Sequence, residues 1–282
     1  MKLAVIGNGT MGRGIAMCAA LHNMEVTIKG RSRESLALCM KRINNTFNRF
    51  VEKRKMDQSA ATGYLQKIKT TLDFADISDA DILIEAVSEN IEEKKKLLEN
   101  LDGIAKPNAV IATNTSSLSI TELASATSQP ERVIGLHFFN PVVNMELVEV
   151  ISGARTSGEV LMKVFSFCEA LEKRPVKAEE APGFIVNRLL IPMINEAIAE
   201  YADGVASIEA IDTAMKLGAN HPMGPLELAD FIGLDVCLAI METLQAEFGE
   251  NKYRPHPLLR KMVRANMYGR KSGRGFYEYP EN

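Results

Sequence analysis

Residues 2–16 read KLAVIGNGTMGRGIA, and this stretch decides the fold. The apolar run over residues 2–6 meets Gly7 at once, which is typical of a buried parallel strand that ends in a tight turn. Helical sequence follows, and the three glycines match the pattern GxGxxG, in which they form the turn, admit a pyrophosphate and pack helix on strand. The sequence therefore predicts a dinucleotide site, with a plain glycine-rich turn as the alternative. The candidate contacts are Gly7, Gly9, Thr10, Met11 and Gly12.

Similar apolar runs recur along the first 180 residues, with helix-like segments between most of them. They cover residues 26–29, 82–87, 109–113, 133–139 and 147–151. Alternating strands and helices predict an α/β fold with a doubly wound, parallel sheet of the Rossmann type. The long charged region from about Arg31 to Ile68 breaks this alternation and is predicted to be an inserted helical hairpin.

Beyond residue 182 the strand-like runs stop and helical periodicity takes over. Ser207 is placed to cap a helix that ends at Gly218, and Pro225 is placed to begin another. We therefore expect a dinucleotide-binding domain with the helical arm over residues 1–182, and a smaller all-helical domain over residues 183–282. Apolar residues on more than one face of the helical domain, among them Val236 and Leu238, predict a homodimer.

The composition bears on which partners, sites and cellular location are expected. The 282 residues carry 33 Lys and Arg against 36 Asp and Glu, a formal net charge of −3, so the overall charge does not favour nucleic acid or an anionic membrane as partner. The four cysteines are scattered without CxxC spacing, which argues against a disulfide framework and against a zinc site. No signal-peptide pattern and no long apolar window are found. We therefore expect a cytoplasmic protein.

The end of the second predicted strand bears on which dinucleotide is bound. An NAD enzyme places Asp or Glu about 20 residues after the glycine turn, to hold the ribose 2′-hydroxyl. Residues 27–33 read TIKGRSR and contain no carboxylate. Gly30 is expected to leave space, and Arg31, Ser32 and Arg33 offer donors to a 2′-phosphate. This pattern favours NADP over NAD; the alternative is that the two arginines lie on a solvated turn.

A catalytic pair is suggested by two residues near the ends of later strands. His137 follows an apolar run, at the edge where ligands gather in an open α/β sheet. Glu149 interrupts the apolar stretch 147–151, where a carboxylate is costly unless it is paired. If Glu149 accepts the Nδ1 proton of His137, Nε2 can exchange a proton with substrate. From spacing alone, a core histidine and an unrelated glutamate fit equally well.

Two further polar segments are less specific. The stretch 113–117, which includes Ser116, follows another strand, but hydroxyl-rich segments are more often caps or turns. Asn187 lies on the first predicted helix of the second domain, where an asparagine can be a surface residue.

Eight blocks of sequence extend these observations over the whole chain. They are VIGNGTMGRGIA (5–16), EAVSENIEEKK (85–95), TNTSSLSI (113–120), HFFNPV (137–142), LVEVI (147–151), APGFIVNRLL (181–190), GPLELADFIGLD (224–235) and GRKSGRGFYEY (269–279). In this order they resemble the L-3-hydroxyacyl-CoA dehydrogenases, most closely the short bacterial 3-hydroxybutyryl-CoA dehydrogenases. The resemblance implies an enzyme that interconverts 3-ketoacyl-CoA and (S)-3-hydroxyacyl-CoA by hydride transfer with a nicotinamide cofactor.

The resemblance also implies roles for individual residues. His137 matches the acid/base and Glu149 its orienting carboxylate. Ser116 and Asn187 match residues that hydrogen-bond the substrate's oxygens. The residues implied at the cofactor are Glu89, Lys94, Asn114, Asn140 and Lys271. The helical arm, with Lys53 and Lys55, resembles the segment that lies over coenzyme A, although these lysines also fit a solvated helix face.

Some questions stay open from the sequence. Gly30 stands where most of the family has Asp, so the resemblance does not carry over NAD specificity. A related dehydrogenase of a free hydroxy or sugar acid is one alternative, and a non-catalytic NADP-binding regulator is another. The acyl chain length and the physiological direction are not readable from these residues.

Overall fold

The computed structural model describes residues 1–280. The chain forms two compact units, Met1–Ala181 and a second that begins at Pro182. The first unit is built on one eight-stranded sheet, and the second contains helices and no named strand within its described part. The predicted fold class is confirmed.

The sheet runs in the order β3-β2-β1-β4-β5-β6-β7-β8. The strands are β1 (Lys2–Ile6), β2 (Glu25–Lys29), β3 (Ile68–Thr71), β4 (Ile82–Glu85), β5 (Val110–Thr113), β6 (Val133–Phe138), β7 (Leu147–Ser152) and β8 (Arg174–Glu179). The order reverses between β1 and β4, and a ligand crevice is expected outside the carboxyl ends of the strands at such a switch point.

The sheet departs from the predicted parallel pattern at one pair, because β6 and β7 are antiparallel. Only residues 139–146 join these strands, and a parallel crossover needs a dozen residues or more. The antiparallel register sets His137 directly opposite Glu149. The antiparallel pairing of β6 and β7 therefore brings the two residues of the candidate catalytic pair together.

Two strands, β3 and β8, are absent from the sequence-based expectation. Both lie at the ends of the sheet, and their sequences, IKTT and RPVKAE, are largely polar with few buried residues. An edge strand has one unpaired side, where charged side chains and proline are tolerated. Neither strand therefore shows the apolar run that marks the central ones.

The helices of the first unit follow the predicted alternation. They are α1 (Thr10–Leu21), α2 (Arg33–Glu52), α3 (Gln58–Gln66), α4 (Ile91–Ile104), α5 (Ile120–Ala124) and α6 (Gly158–Ala170). The expected helical hairpin is the pair α2 and α3, which pack against each other. Phe47 of α2 is fully buried and its ring lies 6.3 Å from that of Tyr64, which anchors the hairpin.

The second unit contains α7 (Val186–Ala202), α8 (Ile208–Gly218), α9 (Pro225–Ile232), α10 (Leu234–Phe248) and α11 (Pro257–Arg264). Ser207 caps α8 and Pro225 begins α9, as the sequence predicts. In α7 the side chains of Ile191, Ile194 and Ile198 face the core, whereas Leu189 is 71% exposed. Within residues 1–280, no helix is both long and apolar enough to span a bilayer.

Candidate active site

The glycine turn between β1 and α1 has the geometry that a pyrophosphate requires. Gly7 has φ +112°, and a β-carbon there would lie 2.5 Å from the Ala86 carbonyl oxygen. A β-carbon at Gly12 would lie 2.0 Å from the Gly7 carbonyl oxygen, but one at Gly9 meets no atom within 4 Å. No side chain caps α1 and its first turn has no acid, so the amide groups of that turn are left for an anion. The turn fits a dinucleotide.

The structure corrects one expectation about Gly30. A β-carbon on this residue would lie 2.6 Å from Cγ of Leu36, whose side chain is buried against the glycine. Gly30 therefore does not leave open space for a phosphate, because Leu36 fills that space. An aspartate at position 30 could be accommodated only if Leu36 moved.

The residues that follow Gly30 begin α2. Arg31 and Arg33 are exposed, and the Ser32 hydroxyl accepts a hydrogen bond from the Ser35 amide at 3.2 Å. Ser32 is thus the N-cap of a 20-residue helix. Its hydroxyl also hydrogen-bonds the Glu34 carboxylate, whose pKa is lowered by its own backbone amide and by Ser32. The positive end of α2 and two exposed arginines therefore follow β2, with Glu34 in the same first turn.

His137 and Glu149 form a buried hydrogen-bonded pair. Nδ1 of His137 lies 2.6 Å from Oε2 of Glu149, with the two side chains 9% and 1% exposed. Glu149 lies among apolar residues of β7, so its charge needs the partner that His137 supplies. The Phe139 ring packs beside the imidazole at 4.5 Å between centroids. The contact fixes Nδ1 as the proton-bearing nitrogen of the neutral ring.

Asn114 and Asn140 lie at the carboxyl ends of β5 and β6. Oδ1 of Asn114 accepts a hydrogen bond from the Phe138 amide at 3.1 Å. This contact ties the end of β5 to the strand that carries His137. Asn140 is exposed just after β6.

Glu89 organises the segment that contains Ser116. Its Oε1 accepts hydrogen bonds from the Thr115 hydroxyl at 2.5 Å, the Ser116 amide at 2.8 Å and the Ser116 hydroxyl at 3.1 Å. Burial raises the pKa of Glu89, but the positive charge of Lys94 and these hydrogen bonds outweigh it, so that pKa lies below its ordinary value. Glu89 therefore holds this loop as an anion.

Lys94 is in the interior of the first unit, with its side chain 1% exposed. Its Nζ lies 2.7 Å and 2.8 Å from the two carboxylate oxygens of Glu85, and 3.4 Å from Oε2 of Glu89. In the described part of the chain, the Lys94 ammonium group therefore contacts the carboxylates of Glu85 and Glu89.

The remaining predicted residues are described unit by unit. In the first unit, Lys53 and Lys55 are exposed where α2 leads into α3, and neither forms an ion pair with a described residue. In the second unit, Asn187 is 9% exposed in the first turn of α7. There Lys271 donates a hydrogen bond to Asp235 at 2.5 Å.

Two residues escaped the sequence analysis. Glu85 ends the apolar strand β4 and is fully buried, which is the same signal that pointed to Glu149. Arg13 follows the third glycine of the turn, and its Nη1 is buried with no hydrogen-bond partner in the described part of the chain.

The chain matches one family over nearly its full length. Residues 2–181 match the family described as 3-hydroxyacyl-CoA dehydrogenase, NAD binding domain. Residues 183–279 match 3-hydroxyacyl-CoA dehydrogenase, C-terminal domain.

Individual relatives cover the same length. The chain is 52% identical over 279 residues to a 3-hydroxybutyryl-CoA dehydrogenase of Clostridioides difficile, with 99% of each chain covered. It is 43% identical over 285 residues to a mitochondrial hydroxyacyl-coenzyme A dehydrogenase of Homo sapiens, covering 98% of this chain and 90% of the relative. The crystal structure of (S)-3-hydroxybutyryl-CoA dehydrogenase from Ralstonia eutropha has a TM-score of 0.95 and 45% identity, with 99% of both chains covered.

Proposed function

Because the chain belongs to the 3-hydroxyacyl-CoA dehydrogenase family, we propose that it interconverts acetoacetyl-CoA and (S)-3-hydroxybutyryl-CoA, with His137 as acid/base. It is an oxidoreductase of 3-hydroxyacyl-CoA that uses a nicotinamide dinucleotide, as the family resemblance in its sequence predicts. The four-carbon substrate is supported by the names of the relatives from C. difficile and R. eutropha. The observation that carries the proposed mechanism is the 2.6 Å contact between His137 and Glu149.

His137 and Glu149 together account for the proton that is exchanged with the oxygen on C3 of the substrate. When bound, the cofactor supplies or accepts a hydride at its nicotinamide ring, and the partner carbon is C3 of the acyl chain. Glu149 accepts the Nδ1 hydrogen bond, so Nε2 is the nitrogen that exchanges a proton with the oxygen on C3. In reduction the imidazolium gives this proton and becomes neutral; in oxidation the neutral ring takes it. Glu149 stabilises the imidazolium by its negative charge.

Ser116 is proposed to hydrogen-bond the substrate's oxygen. Its support is the loop after β5, which Glu89 fixes at the carboxyl edge of the sheet. The roles of Asn187 at the substrate, of Asn140 and Lys271 at the cofactor and of Lys53 and Lys55 at coenzyme A stay predictions from the resemblance.

The choice of substrate is tested with acetoacetyl-CoA against free acetoacetate under the same reduced cofactor. We expect kcat/KM to be at least about a hundredfold higher for the thioester, because binding energy from the remote coenzyme A part is used at the reacting carbon. Equal values for the two substrates would favour the alternative of a free hydroxy-acid dehydrogenase. Lack of turnover with either would favour a non-catalytic nucleotide-binding protein.

We propose NADP as the preferred cofactor. The support is the absence of a carboxylate over residues 27–33, with Arg31 and Arg33 exposed at the start of α2. Charge-assisted hydrogen bonds to a 2′-phosphate would contribute about 1.5–3 kcal/mol each, reduced here by solvent exposure. Replacing Gly30 by Asp is a poor test, because Leu36 occupies the space that the side chain needs.

The proposed NADP preference is better tested by removing Arg31 and Arg33. We expect the variant Arg31→Ala/Arg33→Ala to raise KM for NADPH by roughly tenfold or more and to leave KM for NADH nearly unchanged. The matched control is Arg42→Ala, which removes an exposed arginine from the same helix and should change neither value. A wild-type preference for NADH, or equal effects of the variant on both cofactors, would contradict the proposal.

We also propose a homodimer formed through the helical unit. Several large apolar side chains of this unit are exposed, among them Leu189 at 71%, Val205 at 70% and Leu217 at 83%. Such surface favours association. Sedimentation equilibrium should give twice the chain mass of 31.0 kDa, and a single-chain mass at micromolar concentration would refute it. The proposed cytoplasmic location is supported by four unpaired, buried cysteines.

A further inference from the structure

Glu85 is a buried carboxylate that the proposed mechanism does not use. It ends β4, and its side chain is fully buried. Its oxygens accept hydrogen bonds from the Lys94 ammonium group at 2.7 Å and 2.8 Å, from the Val87 amide at 3.2 Å and from the Thr113 hydroxyl. A buried charge persists only with such compensation. The site therefore maintains an ion pair at the carboxyl ends of β4 and β5.

Lys94 occupies an unfavourable place for a cation. It lies in the first turn of α4, where the helix dipole disfavours positive charge, and α4 is already capped by Asn90. Helix formation alone does not explain a buried lysine there. Its ammonium connects two carboxylates, because Oε2 of Glu89 lies 3.4 Å from Nζ.

Glu89 connects the ion pair to the loop after β5 that contains Ser116. The side chain of Glu89 is 37% exposed and would have several rotamers without a partner. Lys94 holds one of its oxygens, and the other oxygen accepts the Ser116 amide at 2.8 Å and the Ser116 hydroxyl at 3.1 Å. The chain of contacts thus runs from Glu85 through Lys94 and Glu89 to Ser116.

We propose that Glu85 and Lys94 are positioning residues: they fix the Glu89 carboxylate, which holds the Ser116 amide and so sets the place from which the Ser116 hydroxyl turns its proton from Glu89 to the oxygen of the acyl substrate. The inference rests on the proposed function, in which Ser116 hydrogen-bonds the substrate's oxygen. Lys94 acts here as the counter-ion between Glu85 and Glu89. Neither Glu85 nor Lys94 needs to touch substrate for this role.

The test is a double-mutant cycle in which acetoacetyl-CoA reduction is measured. The pair variant Glu85→Gln/Lys94→Met removes both charges together, so that neither partner is left buried alone, while Glu89 keeps its hydrogen bonds from Thr115 and Ser116. We expect it to lower kcat/KM for acetoacetyl-CoA by roughly tenfold to a hundredfold, because a small misplacement of a substrate-binding group is costly. In a Ser116→Ala background the same pair of substitutions should change kcat/KM by less than about twofold.

A matched control is available in the same unit. Arg132 and Asp102 form another buried pair, with 2.7 Å between Nη2 and Oδ1 and side chains 6% and 7% exposed. The variant Arg132→Met/Asp102→Asn should leave kcat/KM nearly unchanged in both backgrounds. Any loss it causes through stability should add to that of Ser116→Ala.

A second variant covers the case in which the pair variant does not fold. Glu89→Gln changes a partly exposed side chain and should show the same coupling to Ser116→Ala. Full additivity of the losses in either cycle, or unchanged kcat/KM in the folded pair variant, would overturn the positioning role. Wild-type reduction of acetoacetyl-CoA is the reference in every cycle; its absence would overturn the proposed function and the inference with it.

Discussion

We expect the variant His137→Gln to lower kcat for acetoacetyl-CoA reduction by at least about a hundredfold, the lower range for loss of a general acid. Glutamine retains polar atoms near the Glu149 carboxylate, but its amide cannot deliver a proton at neutral pH. His137 and Glu149 lie in β6 and β7, which β4 and β5 separate from β1 and the glycine turn that follows it. The dissociation constant for NADPH, measured by cofactor fluorescence, should therefore change by less than about threefold.

The His137→Gln variant must first be shown to fold like the wild type. Thermal unfolding and circular dichroism should show the native fold, so that the loss belongs to the chemical step. If kcat of the folded variant stayed within about threefold of wild type, His137 would not be the acid/base.

The second large effect is expected for Glu149→Gln. The change keeps the shape of the side chain but removes the charge that stabilises the imidazolium. It also lets an amide N–H donate to Nδ1, which places the ring proton on Nε2 and leaves the neutral ring unable to act as base there. We expect kcat to fall by about a hundredfold or more in both reaction directions, with cofactor affinity nearly unchanged.

A matched control is Glu122→Gln, which changes an exposed carboxylate that pairs with Lys95 in the same unit. It should leave kcat unchanged, because exposed ion pairs contribute little. Retention of at least about a third of wild-type kcat by folded Glu149→Gln would show that the carboxylate does not orient His137.

The parts of the fold that could be predicted from sequence are those with a strong local signal. The apolar run of β1, the glycines and the start of α1 define one another within about 15 residues. The edge strands β3 and β8 carry no such signal, because an edge strand has one unpaired side and tolerates polar residues there. The antiparallel turn from β6 to β7 could have been recognised from its short connection.

The sequence names most residues of the candidate site as predictions, but it does not show how their side chains are connected. His137 and Glu149 are 12 positions apart, and only the register of β6 and β7 shows that they meet. The position of Leu36 against Gly30 depends on the packing of α2, which sequence spacing does not reveal. Likewise, the link from Glu85 to Ser116 crosses three segments of the chain.

The most direct measurement is a crystal structure of the protein with NADP⁺ and acetoacetyl-CoA bound together. We expect Nε2 of His137 to lie within about 3 Å of the oxygen on C3, while Nδ1 keeps its contact with Glu149. An imidazole whose Nε2 points away from that oxygen, with another proton donor in its place, would contradict the assignment of His137.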